Sequence, residues 1–425
     1  MEATITATPT TSNIEANKRI GYVDIAKFLA ILFVVTYHIG STSINLGVDF
    51  PVTEGFSFFW KASLNNFFQF VVPFFFFVMG ITYVYGKYTY KQYVKNKLYT
   101  LIIPFILIYI FSAIFNSLMT SIPNGLNFFN VFAGNLIGLL WGSFYLPFEI
   151  PALGIIRSTD PTTLAYGRIA VTIGPLMILY FLQALIPASL LFMPLVELLK
   201  KDKYKHYHIY RGLTIIALLL LVGIEPFLCK DWSLPFALGY VPFFLLIMLM
   251  GSWLKELKLF DTKGFWKNAL IFIIGAGLLV FGGGFTGGPI FFVINKYGGN
   301  WYLGILFTYI NVVGGSICFI QIARSIELIK IKQIPNFCRW IGQRTLPIYS
   351  LHFLIAMPCL FALMAMYGIT FDAFITNPEI LNKLTPYIPL VIVISISLSL
   401  LIGIPLLKFF MFISLKIKGL FDKLE

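Results

Sequence analysis

The chain has 425 residues, of which 58% are hydrophobic and only 12% charged. An ordinary soluble domain carries about 25% charged residues, so a water-soluble globular enzyme is excluded. A disordered chain, which needs few apolar residues and much charge, is excluded too. The net charge of +13, from 31 Lys+Arg against 18 Asp+Glu, reads as basic loops holding one side of a membrane, not as a nucleic-acid surface.

Residues 1–17 are polar and lack an apolar h-region. They read as a mobile cytoplasmic tail, not a signal peptide, ahead of a single integral-membrane domain over 18–425. Ten apolar runs then follow, at about 22–44, 66–86, 98–120, 172–199, 212–229, 234–254, 266–283, 301–322, 345–367 and 386–412. Their length points to transmembrane helices, whereas a barrel would show short alternating segments. The expected fold is therefore all-α: a polytopic transmembrane bundle of about ten spans. An eleventh segment, 127–146, carries three glycines and two internal asparagines and ends against Pro147. If it does not span, 23 Lys+Arg fall on the side of the termini and 6 opposite; if it does, the split is 11 against 18. The positive-inside rule selects the first arrangement, with both termini cytoplasmic. Segment 127–146 is then re-entrant or interfacial on the outer side, where such backbone must be covered by protein or a wet cavity.

Ionisable groups inside such helices are functional candidates, because each is costly unless paired or wet. The first run holds three: Asp24, Lys27 and His38. At 100° per residue, His38 lies about 20° from Lys27 and roughly 40° from Asp24, so the three share one face. Lys27 and His38 are separated by about 16 Å of axial rise. A cation near the cytosol and a base deep in the membrane suit an elongated donor such as acyl-coenzyme A. Lys27 would neutralise phosphate, and His38 would take the proton of an attacking hydroxyl. A structural reading stands beside this one: Lys27 snorkelling or pairing with Asp24, and His38 as a hydrogen-bonding group. Asp24 is grouped with His38 in the catalytic set. At about 21 Å along the axis it cannot orient that histidine; its expected role is to hold Lys27, Lys97 or Arg344 at the cytoplasmic mouth.

His352 is expected to orient the first-helix groups or to line the coenzyme path. Glu197 reads as solvated, and His206 and His208 as exposed. Glu149, Arg157, Asp160 and Arg168 form the main outer charged cluster, fitted either to a polar acceptor or to a solvated loop. Gln183 is a neutral group that serves substrate or glues helices. The cysteines at 229, 318, 338 and 359 show no metal or disulfide spacing, and no metal is expected.

Together these motifs resemble the acyltransferase 3 family of membrane acyltransferases, in its branch acting on sugars of bacterial surface polysaccharides. RIGYVDIAKFLAILFVVTYH (19–38) is similar to the family's first-helix pattern, in which a basic residue is followed by ten residues and His. VVPFFFFVMG (71–80), KNKLYTLIIPF (95–105), GPLMILYFLQAL (174–185), YVPFFLLIMLMG (240–251) and GQRTLPIYSLHF (342–353) resemble further family blocks in the same order. Tyr180 replaces the usual Trp of the fourth. The family's two arginines at the third span correspond here to Lys97 and Thr100, leaving one cation, with Lys95 or Lys91 as possible substitutes. The resemblance implies acetyl-CoA or another acyl-CoA as donor, bound by Lys27, Lys95, Lys97, His352 and Arg344. It further implies a sugar or polysaccharide acceptor met by Glu149, Arg157, Asp160, Arg168, Tyr180 and Gln183, and residence in the bacterial inner membrane. The competing reading is a transporter or flippase of glycan precursors, which would more naturally show internal repeats and broken helices; no repeat is visible.

Overall fold

In a computed structural model of the chain, the residues described are 20–44, 70–124, 127–141, 180–199, 206–222, 235–261, 264–286, 301–368 and 384–421. Thirteen α-helices are defined among them. They are α1 Gly21–Ile44, α2 Val71–Thr82, α3 Tyr90–Lys97, α4 Ile103–Asn124, α5 Phe128–Trp141, α6 Tyr180–Leu198, α7 Tyr207–Val222, α8 Val241–Glu256, α9 Phe265–Thr286, α10 Trp301–Glu327, α11 Gln333–Gly342, α12 Thr345–Met366 and α13 Ile388–Phe421. A π-helical turn, Leu98–Ile102, joins α3 to α4. No strand occurs among the described residues. In lipid every backbone N–H and C=O must be satisfied within the segment, which leaves the helix as the solution for such apolar runs.

Six stretches among the described residues are long and apolar enough to cross a membrane: Tyr90–Phe115, Leu238–Glu256, Phe265–Gly283, Leu303–Glu327, Thr345–Met366 and Ile388–Lys416. Three shorter apolar helices are Val71–Thr82, Leu182–Leu198 and Tyr207–Val222. The expected ten is thus met by six over these residues. The expected run 66–86 is shortened on one side because Tyr83 turns extended (φ −64°, ψ 139°) after α2. The third run starts earlier than expected: α3 begins at a capping box in which Thr89 accepts from Gln92 N and Gln92 accepts from Thr89 N.

Contacts fix the relative directions of the helices. α2 and α8 run the same way, since Phe76 stacks on Phe244 at 3.8 Å and Lys255 Nζ donates to Tyr83 O at 2.7 Å. Their backbones touch at Gly80 and Gly251, where a Cβ on either would collide with a carbonyl of the other helix. α1 and α12 also run the same way, whereas Ser395 of α13 bonds the His352 carbonyl in an antiparallel pair. The far ends of α2 and α6 meet, Tyr83 donating to Glu197 at 2.8 Å. α4 runs away from that end, whereas α6 runs toward it. Between them, segment 127–146 enters as α5, a 14-residue helix folded back on α4. The buried Asn135 seals the pair: its amide donates to Ser117 Oγ at 2.7 Å, and its carbonyl accepts from Tyr109 at 2.9 Å.

Candidate functional site

α1 carries the polar stripe through the centre of the bundle, packed by α2, α10, α11, α12 and α13. At its Asp24 end the carboxylate is 3% exposed and must be compensated. Lys27 Nζ lies 2.7 Å from Oδ1, one helical turn on. Gln343 Nε2, at the α11–α12 junction, donates to Oδ2 at 3.3 Å. Gly342 allows this approach, because a Cβ there would run into the Asp24 carbonyl. Of the three cations proposed for Asp24, the structure pairs it with Lys27 and adds Gln343. That residue lies in the GQRTLPIYSLHF block, where Arg344 and His352 had been singled out but not Gln343. Arg344 stacks its guanidinium on Trp340 at 4.5 Å and donates to the Trp340 carbonyl at 2.8 Å.

At the other end, His38 Nδ1 lies 2.8 Å from His352 Nε2. The two rings are close to parallel, at 7°, with centroids 5.1 Å apart. His352 is fully buried, and its Nδ1 lies 2.9 Å from both the Ile348 and the Tyr349 carbonyls. The proton positions follow from these partners. Carbonyl oxygens only accept, so His352 Nδ1 carries its proton and Nε2 presents a lone pair. With both rings neutral, His38 Nδ1 then donates and Nε2 is the unprotonated nitrogen of His38. His352 therefore holds one tautomer of His38. Of the two placements expected for it, the structure shows the one beside a first-helix group, His38.

The cations expected at a donor sit on different elements. Lys95 and Lys97 occupy the last turn of α3. Lys97 Nζ is 5.3 Å from the Tyr93 ring, and Tyr93 is anchored by donating to Ser189 O of α6 at 3.0 Å. The π-helical turn follows at once; such turns are frequent at functional sites. Its Tyr99 carbonyl accepts from Ser414 of α13 at 3.0 Å. α13 packs against both this turn and α1, so the two sets of cations flank one helix.

A second polar cluster ties together the ends of α2, α6, α7 and α8. Arg211, 6% exposed, forms an ion pair with Glu256 at 2.6 Å and donates to Tyr85 OH at 3.3 Å. Tyr85 in turn donates to Glu256. Burial first, and then this carboxylate, push the Tyr85 hydroxyl up to about 12, so it stays protonated as a donor. Glu197, expected to be solvated, is half-buried and accepts from Tyr83 and from Gly86 N at 3.2 Å. In the sequence Arg211 is one more cation at the edge of an apolar run, and nothing local distinguishes a buried arginine there from one that sets orientation.

Gln183 is buried on α6, and Tyr180 opens the same helix. Glu149, Arg157, Asp160 and Arg168, together with the tail 1–17, lie outside the described residues. His206 and His208 are exposed, as expected. Among the described residues, Cys318, Cys338 and Cys359 are free thiols and no His/Cys/Asp/Glu group could hold a metal.

The sequence profile of an acyltransferase-domain family, acyltransferase 3, matches residues 20–404. No curated protein and no solved structure gives a match.

Proposed function

We propose, on the premise that the chain belongs to the acyltransferase 3 family, that it is an integral-membrane O-acyltransferase. It takes an acyl group, acetyl in the first instance, from cytosolic acyl-CoA. The acceptor is a sugar hydroxyl of a surface glycan or its lipid-linked precursor. The chain crosses the bacterial inner membrane ten times with both termini in the cytoplasm, and α5 is re-entrant.

One observation carries the reading: the base pair built from His38 and His352. His38 Nε2 removes the proton of the acceptor hydroxyl as its oxygen attacks the thioester carbonyl. The carbon–sulfur bond then breaks, and the imidazolium returns its proton to the departing thiolate. Nδ1–H of His38 remains bonded to His352 throughout, which fixes the orientation that a carboxylate supplies in a Ser-His-Asp triad. The phosphates of the donor are met by Lys27, Lys95, Lys97 and Arg344. The long pantetheine arm covers the ~16 Å from the Lys27 turn to His38. Glu149, Arg157, Asp160 and Arg168, with Tyr180 and Gln183, serve the acceptor from the opposite face.

Mass spectrometry of surface glycan from cells with and without the protein tests this reading. Loss of one fixed acyl mass from an otherwise intact polymer is the expected result. Loss of the whole polymer would replace the enzyme by an exporter.

A further inference from the structure

Between the candidate spans Leu303–Glu327 and Thr345–Met366 lie 17 residues, 328–344. A connection this short between two spans stays at the membrane surface. Its sequence, LIKIKQIPNFCRWIGQR, holds four cations (Lys330, Lys332, Arg339 and Arg344) and no acid. Most of it forms α11, and three faces of that helix differ.

Pro335, Cys338, Ile341 and Gly342 are buried where α11 packs on α1. Ile334, Phe337 and Trp340 recur at three-residue intervals on the adjoining flank, and they stand 41%, 59% and 43% exposed. Leu328 and Ile331, just before the helix, are exposed as well. The third flank is polar: Asn336 and Arg339, with Arg339 in an ion pair to Glu327 at 2.5 Å. Lys330 and Lys332 are exposed beside the apolar flank. A helix in water would not present Phe and Trp beside lysines in this way, whereas one lying in the plane of a bilayer interface does.

We infer that residues 328–344 form an in-plane anchor for an anionic phospholipid surface. The apolar flank enters the headgroup–acyl boundary, and Lys330 and Lys332 meet lipid phosphates. The charge excess of this segment selects an anionic surface over a zwitterionic one. The inference goes beyond acyl transfer and does not depend on it. Its structural consequence is local: the far end of the anchored helix is Gly342–Gln343, the pair of residues seated on Asp24.

The full-length protein, reconstituted in nanodiscs of phosphatidylcholine alone or with phosphatidylglycerol added, provides the test. Hydrogen exchange of residues 328–344 should slow several-fold when the anionic lipid is present. The double variant Lys330→Gln/Lys332→Gln should lose most of that response, because each lysine near the surface contributes to the attraction. Both changes are on exposed side chains, so the rest of the exchange map should be unchanged. In a second measurement, phosphatidylcholine brominated near the headgroup should quench part of the tryptophan fluorescence, and Trp340→Phe should remove that part. Equal exchange in the two discs would overturn the anchor, as would a full lipid response in the double variant. Quenching unchanged by Trp340→Phe would overturn the insertion of the apolar flank. Acyl transfer is read in neither measurement, so a failure here is separable from a failure of the enzymatic reading.

Discussion

At Asp24 the first helix carries its own ion pair, to Lys27 one turn on, and meets the α11–α12 junction through the Gln343 amide, which donates to the same carboxylate. At His38, about 21 Å further along the axis, it meets α12 through a hydrogen bond between two imidazoles. The two contacts join the same parts of the fold and differ in what they put at risk. Removing one member of a buried ion pair strands the other charge, so the Asp24 end couples ligand binding to stability. Removing a neutral ring leaves a cavity and an unsatisfied nitrogen but no bare charge. Damage at the histidine end should therefore appear in the chemical step, and damage at the aspartate end in donor affinity and protein level.

The largest expected effect lies at the histidine end. His38→Ala should lower turnover roughly 10²–10⁴-fold, the usual worth of a general base, with the protein still folded in detergent. Near-wild-type turnover would remove His38 from the mechanism and dissolve the comparison. Next comes His352→Ala, which leaves the base in place but free to rotate. Turnover should fall on the order of 10²-fold while KM for the donor holds. His352→Gln, whose amide oxygen can still accept from His38 Nδ1, should recover part of the loss. A donor KM that rises with turnover unchanged would return His352 to the coenzyme path.

Effects at the other end should be smaller and of a different kind. Lys27→Ala should raise the donor KM about fivefold to tenfold, the ~1 kcal/mol of one ion pair near a wet surface, and should lower thermal stability because the Asp24 carboxylate loses its ion-pair partner. Asp24→Asn should cost about 1–2 kcal/mol of stability, discounted because the Lys27 side chain is 22% exposed, with turnover preserved once the protein is folded. Slowed chemistry at normal stability and affinity would show that the two ends are coupled. Lys27→Arg, which keeps the charge, should lie closest to wild type in all three readouts.

The positions on α1 were legible from sequence because lipid forces a helix, and a helix of fixed pitch puts Asp24, Lys27 and His38 on one face. The family blocks were legible for the same reason that the profile matches: their order and polar positions are linear. The number of crossings was not settled this way. Apolar runs do not show where α2 turns extended or how the π-helical turn joins α3 to α4. Nor did the pattern reveal α11, whose mixed residues had been read as a basic loop.

What only the tertiary structure decided is which helices face one another. Phe265–Gly283 and Leu303–Glu327 are about equally apolar, yet little of the first is buried and most of the second is. In water the apolar face of a helix marks the core; in a bilayer both faces are apolar, so the rotation of each helix is not written in its hydropathy. It is set by close contacts such as Gly80 against Gly251 and Gly342 against Asp24, where small residues let backbones touch. Those crossings bring His352 to His38 across 314 positions of sequence and Gln343 to Asp24 across 319. The sequence thus determined the chemical groups and the face they share, and packing between helices determined their partners.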